Sequence, residues 1–304
     1  MASIKYWIEH PASFLQGLSV NGKLRWLPDK TYLKIMFRLR MGKKLNLDAP
    51  VTFSEKLQWL KLYNHKPEYT TYADKFAVRA FIKERIGEDH LIPLLGVYDS
   101  WDQIDFERLP YRFVIKCNHD SGGIYIVKDK IKLDINAARQ FIEKRLKKNF
   151  YWAGREWQYK DIPRKIIIEK FMEDETGELR DYKFMTFNGR VEWCFVCTDR
   201  FAGSRDENMH ITHFDRNWNR LPFQRGYPVD SKPIEPPVHL DEMIKYAELL
   251  GAGIPLVRVD FYEISGKVYF GEMTFFSGGG MEPFNPEEWD RIMGDKIVLP
   301  EKRV

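Results

Sequence analysis

Two stretches near the C-terminus decide the reading of this chain: Leu256-Val257-Arg258-Val259-Asp260-Phe261-Tyr262 and Val268-Tyr269-Phe270-Gly271-Glu272-Met273-Thr274. Ser265-Gly266-Lys267 joins them, so the pair reads as a β-hairpin, and Gly278-Gly279-Gly280 follows closely. Arg258, Asp260 and Glu272 interrupt strands that are otherwise apolar. Charges in such positions need each other, a metal or a ligand. Two acids and an arginine on one surface can hold magnesium against a phosphate. Side chains alternate along a strand, so Arg258 shares a face with Asp260, and Glu272 with Thr274. The turn decides whether the two sets meet. A two-residue loop puts the acids on opposite faces. A three-residue loop with Gly266 in the left-handed region sets Arg258 opposite Glu272, and the site reading requires this second register. A cross-strand Arg–Glu pair on a solvated face is the alternative.

The 304 residues, 44% of them hydrophobic, can build a large core with more than one subdomain. Lys and Arg total 48 against 44 Asp and Glu, too even a balance to indicate a nucleic-acid partner. Cys117, Cys194 and Cys197 give no disulfide framework, which suits a reducing cytoplasm. Glu9, His10 and Pro11 stand where a signal peptide needs an apolar core, and no apolar run is long enough to span a bilayer.

Residues 1–68 read as a helical, amphipathic extension. Between 23 and 44, Lys23, Arg25, Lys30, Lys34, Arg38, Arg40, Lys43 and Lys44 face Asp29 alone, with Tyr32, Ile35, Met36 and Leu39 at helical spacing. A helix docked by one face accounts for this, and peripheral contact with a membrane surface or an acidic polymer is the alternative. Thr52-Phe53-Ser54-Glu55 opens a further helix carrying Leu57, Trp59, Leu60 and Leu62. Residues 69–112 lead into a segment, 113–172, of α+β character: strand Phe113–Cys117, loop Asn118–Gly123, strand Ile124–Val127, a helix capped by Asp134, and a strand ending at Phe171. Residues 173–304 are mostly strand, with a hairpin signal at Asn188-Gly189, a helix near Leu240–Leu250 and a last helix starting at Asn285-Pro286-Glu287-Glu288.

The Gly122-Gly123 loop can cradle phosphate oxygens on backbone N–H groups, although it lacks the Gly-Lys-Ser/Thr ending of a Walker A loop. A tight turn explains it equally well. The strand through Ile168, Glu169 and Lys170 can read adenine through a free backbone edge, or can simply be a buried strand. His119 can serve as a base or phosphate contact, or make a structural hydrogen bond. Cys194 and Cys197 lie three apart on a strand, facing opposite ways, which argues against a metal half-site. His210, His213, Asp206 and Asp215 read as a polar loop before they read as a metal site. Tyr151, Trp152, Trp157 and Tyr159 can stack on a sugar but more simply form a hydrophobic cluster. Arg200, Arg205, Arg216 and Arg220 can bind an acidic sugar or diphosphate, or form a solvated basic loop.

Taken in order, Asp74-Lys75, Phe113-Val114-Ile115-Lys116 with its Gly loop, Ile168-Glu169-Lys170-Phe171, Asp181-Tyr182-Lys183, Arg258-Val259-Asp260 and Gly271-Glu272 resemble the ATP-grasp superfamily. The motifs Thr52–Trp59, Leu109–His119, Phe187-Asn188-Gly189 and Arg258–Tyr262 resemble more closely the TupA-like ATP-grasp family of polysaccharide and teichuronopeptide biosynthesis clusters. That resemblance, over roughly residues 50–300, implies an α+β fold whose two subdomains clasp ATP, with 113–172 as the smaller one and 173–304 bearing the metal site. It implies Lys75 and Lys116 on the nucleotide phosphates, His119, Ser121, Gly122 and Gly123 in a flap, and Glu169, Lys170 and Met172 at the adenine. It also implies Asp260 and Glu272 as Mg2+ ligands, with Thr274 where many relatives carry an Asn, and Lys183 and Arg258 as catalytic cations. Arg200 and Gly278, Gly279 and Gly280 are candidates for substrate contact. The implied activity is a carboxylate–amine ligase joining an amine or amino acid to a sugar carboxylate or glycan through an acyl phosphate. A glycosyltransferase and a non-catalytic glycan-binding protein are the other readings. The first leaves Lys75 and Lys116 without a joint purpose, and the second predicts that Asp260→Asn and Glu272→Gln leave function intact.

Overall fold

A computed structural model describes residues 10–174, 179–198 and 209–302. Three helices come first: α1 (Pro11–Val20), α2 (Asp29–Met41) and α3 (Phe53–Tyr63). A capping box starts α3: Thr52 Oγ1 accepts from Glu55 N at 3.2 Å, and Glu55 Oε2 accepts from Thr52 N at 3.2 Å. Helix α2 buries Tyr32, Leu33, Met36 and Phe37. Ile35 and Leu39, expected on the same apolar face, are 40% and 41% exposed, so the docked face is rotated from the one the spacing suggested. Tertiary packing, not the count of apolar residues, chose the stripe.

The chain continues through α4 (Glu68–Ala73), α5 (Val78–Arg85), β1 (Leu94–Tyr98), β2 (Phe113–Cys117), β3 (Ile124–Val127), α6 (Ile135–Leu146), α7 (Tyr151–Gly154) and β4 (Ile166–Lys170). The four strands form an antiparallel sheet in the order β1-β4-β2-β3. Its first strand therefore comes from upstream of residue 113. Phe113, Ile115, Ile166 and Ile168 pack with Ala138 and Ile142 of α6 into a core of their own. Asp134 caps α6, its Oδ1 accepting from Ala137 N at 2.9 Å.

Next come β5 (Asp181–Phe187), β6 (Arg190–Thr198), β7 (His210–Phe214), β8 (Gln224–Arg225), α8 (Leu240–Gly251), β9 (Leu256–Ile264), β10 (Lys267–Thr274), β11 (Phe284–Asn285) and α9 (Glu288–Asp295). A second antiparallel sheet runs β10-β9-β5-β6-β7. Helix α8 packs across one of its faces, where Tyr246 meets Phe261 at a ring separation of 6.4 Å. The fold is α+β, with two packed bodies. The larger core also takes in α2 and α3: the Phe53 ring sits 5.7 Å from Trp193 and 5.7 Å from Phe284. The described residues before 68 are thus built into the body of the protein. Among the described residues, no helix is long and apolar enough to cross a membrane.

The β9–β10 register corrects the sequence expectation. Ser265 and Gly266 both take positive φ, 51° and 71°, forming a two-residue turn of the type hairpins favour. Near that turn Phe270 pairs with Phe261, the register that would send the acids to opposite faces. Between Phe270 and Met273 the ladder slips, and Thr274 pairs with Arg258. Gly271 and Glu272 together oppose Asp260, which is a β-bulge. The bulge, not the turn, brings Glu272 onto the face of Arg258 and Asp260. Gly271 suits this position because a Cβ there would come within 3.1 Å of Asp260 O.

Candidate active site

The face of the five-stranded sheet opposite α8 carries a polar stripe across three strands. Lys183 on β5 is the direct ladder partner of Asp260 on β9. Its Nζ lies 2.6 Å from Asp260 Oδ2 and also pairs with Asp181. Arg258 grips Asp260 with Nε at 2.6 Å and Nη2 at 2.7 Å, and its Nη2 reaches Glu272 Oε1 at 2.7 Å. Asp260 is 1% exposed. Burial pushes its carboxyl above the usual range; Arg258 and Lys183 pull the other way, while Asp181 and Glu272 add like charge. Burial works against the Lys183 ammonium too, but Asp181 and Asp260 outweigh it and hold its pKa up. Three acids thus face Lys183 and Arg258, and Glu272, the outermost of the three, also meets Lys75 at 3.8 Å.

A narrow cleft of about 70 Å³ separates the two sheets. Lys116 and Glu169 line it from the smaller sheet, with Nζ 2.6 Å from Oε2, and Arg79 Nη1 lies 3.4 Å from Glu169 Oε1. Asp181, Asp260 and Glu272 line it from the larger one. Lys75 stands at its end, donating to Asp120 O at 2.7 Å and lying 3.8 Å from Glu272 Oε2. The glycine loop is tied from both sides: Arg145 Nε is 2.5 Å from Asp120 Oδ2, and Arg145 also donates to Ser121 O. Gly122 takes φ +76°, and a Cβ on Gly123 would meet Asp120 Oδ2 at 2.9 Å. The loop is shaped by glycine geometry and carries Lys75 against its backbone.

His119 lines neither cavity. It is 1% exposed, its Nε2 lies 3.1 Å from Lys148 O, and burial lowers its pKa. Strand β4 is interior to its sheet, and Lys170 N donates to Pro93 O at 3.0 Å. A free edge for reading adenine therefore begins only beyond Lys170. Lys170 is exposed, Met172 is half-buried, and neither lines the cleft.

A second, larger cavity of about 300 Å³ opens on the other side of Lys75 and Glu272, which line both. We call it the chamber. Arg40 of α2, Lys61 of α3, Glu156, Tyr159 and Arg258 face it. Gly278, Gly279 and Gly280 all take left-handed φ, 62°, 63° and 65°, and the first two line the chamber. Lys61 Nζ donates to Gly279 O at 2.7 Å and Gly154 O at 3.1 Å, and Gln58 Nε2 to Gly280 O at 3.0 Å. Burial lowers the Lys61 pKa to about 8, with Glu156 opposing and Arg40 reinforcing the shift. Thr274 also faces the chamber and donates to Glu272 Oε1 at 3.4 Å.

The carboxylates suit a hard cation. Among the described residues, no set of three or more His, Cys, Asp or Glu side chains encloses a metal. Mg2+ does not need such a cage, since it is commonly held by one or two carboxylates together with substrate phosphates. Glu272 and Asp260 fit that pattern. Both oxygens of Asp260 are engaged by Arg258 and one also by Lys183, so Glu272 is the more accessible of the two.

A family model described as TupA-like ATP-grasp matches residues 55–298. The chain belongs to the TupA-like ATP-grasp family. Solved structures similar to it include a D-alanine–D-alanine ligase from Bacillus anthracis complexed with ATP, at 16% identity, TM-score 0.42, 67% of this chain and 55% of that one. A D-alanine–D-alanine ligase from Helicobacter pylori gives 13% identity and TM-score 0.41 over 81% and 69%. A RimK domain ATP-grasp protein from Sphaerobacter thermophilus gives 13% identity and TM-score 0.40 over 77% and 70%. The aligned region thus spans about half the length of the first of these. Comparison with curated proteins gave no match.

Other sequence candidates in this TupA-like chain do not converge. Cys194 is buried and Cys197 half-buried on β6, three residues apart and on opposite faces. His213 is 2% exposed, accepts from Trp193 Nε1 at 3.1 Å, and burial lowers its pKa to about 3. Asp215 accepts from Asn217 N and Asn219 N within its own turn. Arg216 pairs with Glu248, and Arg220 donates to Asp230 O. Trp157 stacks with Tyr69 and His65, and Tyr151 donates to Asp29 at 2.6 Å, so these aromatics are chiefly structural. Arg200, Arg205 and Asp206 lie outside the described residues. Sequence reasoning missed Lys61, Arg79 and Glu156. Lys61 follows Leu57 by one helical turn and so shares its buried face, a signal that was readable. Glu156 lies in irregular chain and gave none.

Proposed function

We propose that this protein is a cytoplasmic ATP-dependent carboxylate–amine ligase that works through an acyl phosphate. Its acceptor is a uronic-acid-type sugar, sugar nucleotide or glycan, joined to an amino acid or other amine during cell-surface polysaccharide synthesis. The observation that carries this reading is the shared wall: Lys75 and Glu272 line both the cleft and the chamber. Membership of the ATP-grasp family supports an ATP-dependent ligase, and the nucleotide is assigned to the cleft because Lys75 and Lys116 line it. The chamber mixes Arg40 and Lys61 with Tyr32, Phe150 and Phe276, the blend of charge and ring surface that suits an acidic sugar.

In this reading Lys116 and Lys75 neutralise the nucleotide phosphates along the cleft. Glu272 and Asp260 would hold magnesium, which would supply positive charge against the phosphates. Arg258 faces the chamber beside Glu272, where a carboxylate oxygen attacking phosphorus would need a fixed positive charge. Lys183 fixes Asp260 from below. The tethered glycine loop limits access of water to the intermediate. The test is ADP release measured across uronic acids and their nucleotide conjugates crossed with amino acids. Release that depends on both partners, with an amide mass in the product, is expected. ADP release that needs neither partner, with no amide formed, would sink the reading.

A further inference from the structure

The chamber holds one acid that neither the phosphate chemistry nor an ion pair uses. Glu272 is tied to Arg258 and Glu282 to Arg225 at 2.9 Å. Glu156 is 5% exposed, yet among the described residues no cation lies within ion-pair distance of it. Only a long hydrogen bond from Gln158 Nε2, at 3.5 Å, reaches its Oε2. Lys61, the cation that acts most strongly on Glu156, spends two of its three hydrogens on Gly279 O and Gly154 O. A buried carboxylate facing a cavity with so little satisfaction is costly unless a ligand completes it.

The backbone around Glu156 is rigidly set. Arg155 takes a left-handed φ of +54°, and its guanidinium lies 4.4 Å from the Tyr32 ring and 4.5 Å from Trp152. Arg155 Nη2 donates to Leu24 O at 2.9 Å. The clamp on α2 directs the next side chain into the chamber.

We propose that Glu156 forms an amine subsite: it binds the ammonium group of the incoming nucleophile and accepts its proton. The inference rests on the ligase reading above. An ammonium has no lone pair and cannot attack an acyl carbon. Transfer of one proton from R–NH3+ to the Glu156 carboxylate gives R–NH2 and a neutral carboxyl. The amine then forms the C–N bond as the C–O bond to phosphate breaks, and its second proton leaves with the phosphate. Burial raises the Glu156 pKa, opposed by Lys61, which makes it a stronger base than a solvated carboxylate.

Hydroxylamine separates the roles, because it is uncharged at neutral pH and needs no proton removed before it attacks. Wild-type protein, ATP and the uronic acid panel are assayed for hydroxamate with hydroxylamine and for amide with amino acids. Glu156→Gln is expected to lose about 100-fold in amide formation while hydroxamate formation stays within a few fold. Glu156→Asp, which keeps the charge, is expected to recover part of the amide rate and guards against a folding defect in the first variant. Equal loss of both products in both variants makes Glu156 structural and overturns the subsite, as does retention of both. Absence of hydroxamate from the wild type sinks the ligase reading itself.

Discussion

The two cavities meet at Lys75 and Glu272 but are built on different terms. On the cleft side, acids and bases answer one another at short range: Lys116 with Glu169, and Asp260 with Lys183 and with Arg258, which also faces the chamber. In the chamber, Lys61 and Glu156 are buried without a direct ion pair between them. The first arrangement is a preset electrostatic frame that a nucleotide and magnesium can enter by exchange. The second leaves desolvated groups waiting for a partner. On the proposed function, the close pairs along the cleft would suit a common cosubstrate, and Lys61 and Glu156, which form no ion pair with each other, a particular acceptor.

Asp260→Asn should break the cleft most. It leaves Lys183 and Arg258 with a neutral neighbour, so turnover should fall about 1000-fold and stability by about 3–5 kcal/mol, read by ADP release and urea unfolding. Near-normal turnover would remove Asp260 from the chemistry. Lys61→Met should change the chamber alone. Removing that charge lets the Glu156 carboxyl keep its proton to higher pH, so the acidic limb of the pH–rate profile should move upward. The other titratable groups lining the chamber, namely Tyr32, Arg40, Lys75, Tyr159, Arg258, Glu272 and Glu282, are unchanged in sequence. The same variant tests stability. The folded-state pKa of Lys61 falls from 10.5 to about 8, so the unfolded chain binds the extra proton in between. Stability should therefore rise with pH across that window in the wild type, and the rise should flatten in the variant.

Gly271→Val tests the bulge that links the cavities. Its side chain would press on Asp260 O and Tyr262, costing about 1–3 kcal/mol and about 10-fold in turnover as Glu272 is displaced. A variant with unchanged kinetics would show that Glu272 tolerates a different register. Arg216→Ala should do least. Its half-exposed pair with Glu248 is worth about 0.2–1 kcal/mol, and ADP release should not change. A large loss of turnover would restore Arg216 as a substrate contact.

The cleft was legible in the sequence because its chemistry sits on regular strands. Alternation put Arg258 with Asp260, and a charge within an apolar run announced itself. The register was not legible, because a bulge is invisible to alternation and only Gly271 marked it. The chamber was mostly hidden. Its walls come from α2, α3 and the irregular chain around Glu156, brought together by tertiary contacts such as Lys61 with Gly279. His119 shows the opposite failure, since a histidine next to a glycine loop suggested chemistry but is held by Lys148 O in the interior.

One side-chain layer separates the cavities, and that has a consequence for the fate of a reactive intermediate. On the proposed function nothing would need to travel: a group activated on one side of Lys75 and Glu272 would already be within reach of a nucleophile on the other. Wasteful hydrolysis would then depend on how well the mouth of the chamber is sealed. A ligand filling the space beside Tyr32 and Phe150 would act as the stopper, and the acceptor itself is the first candidate for that part.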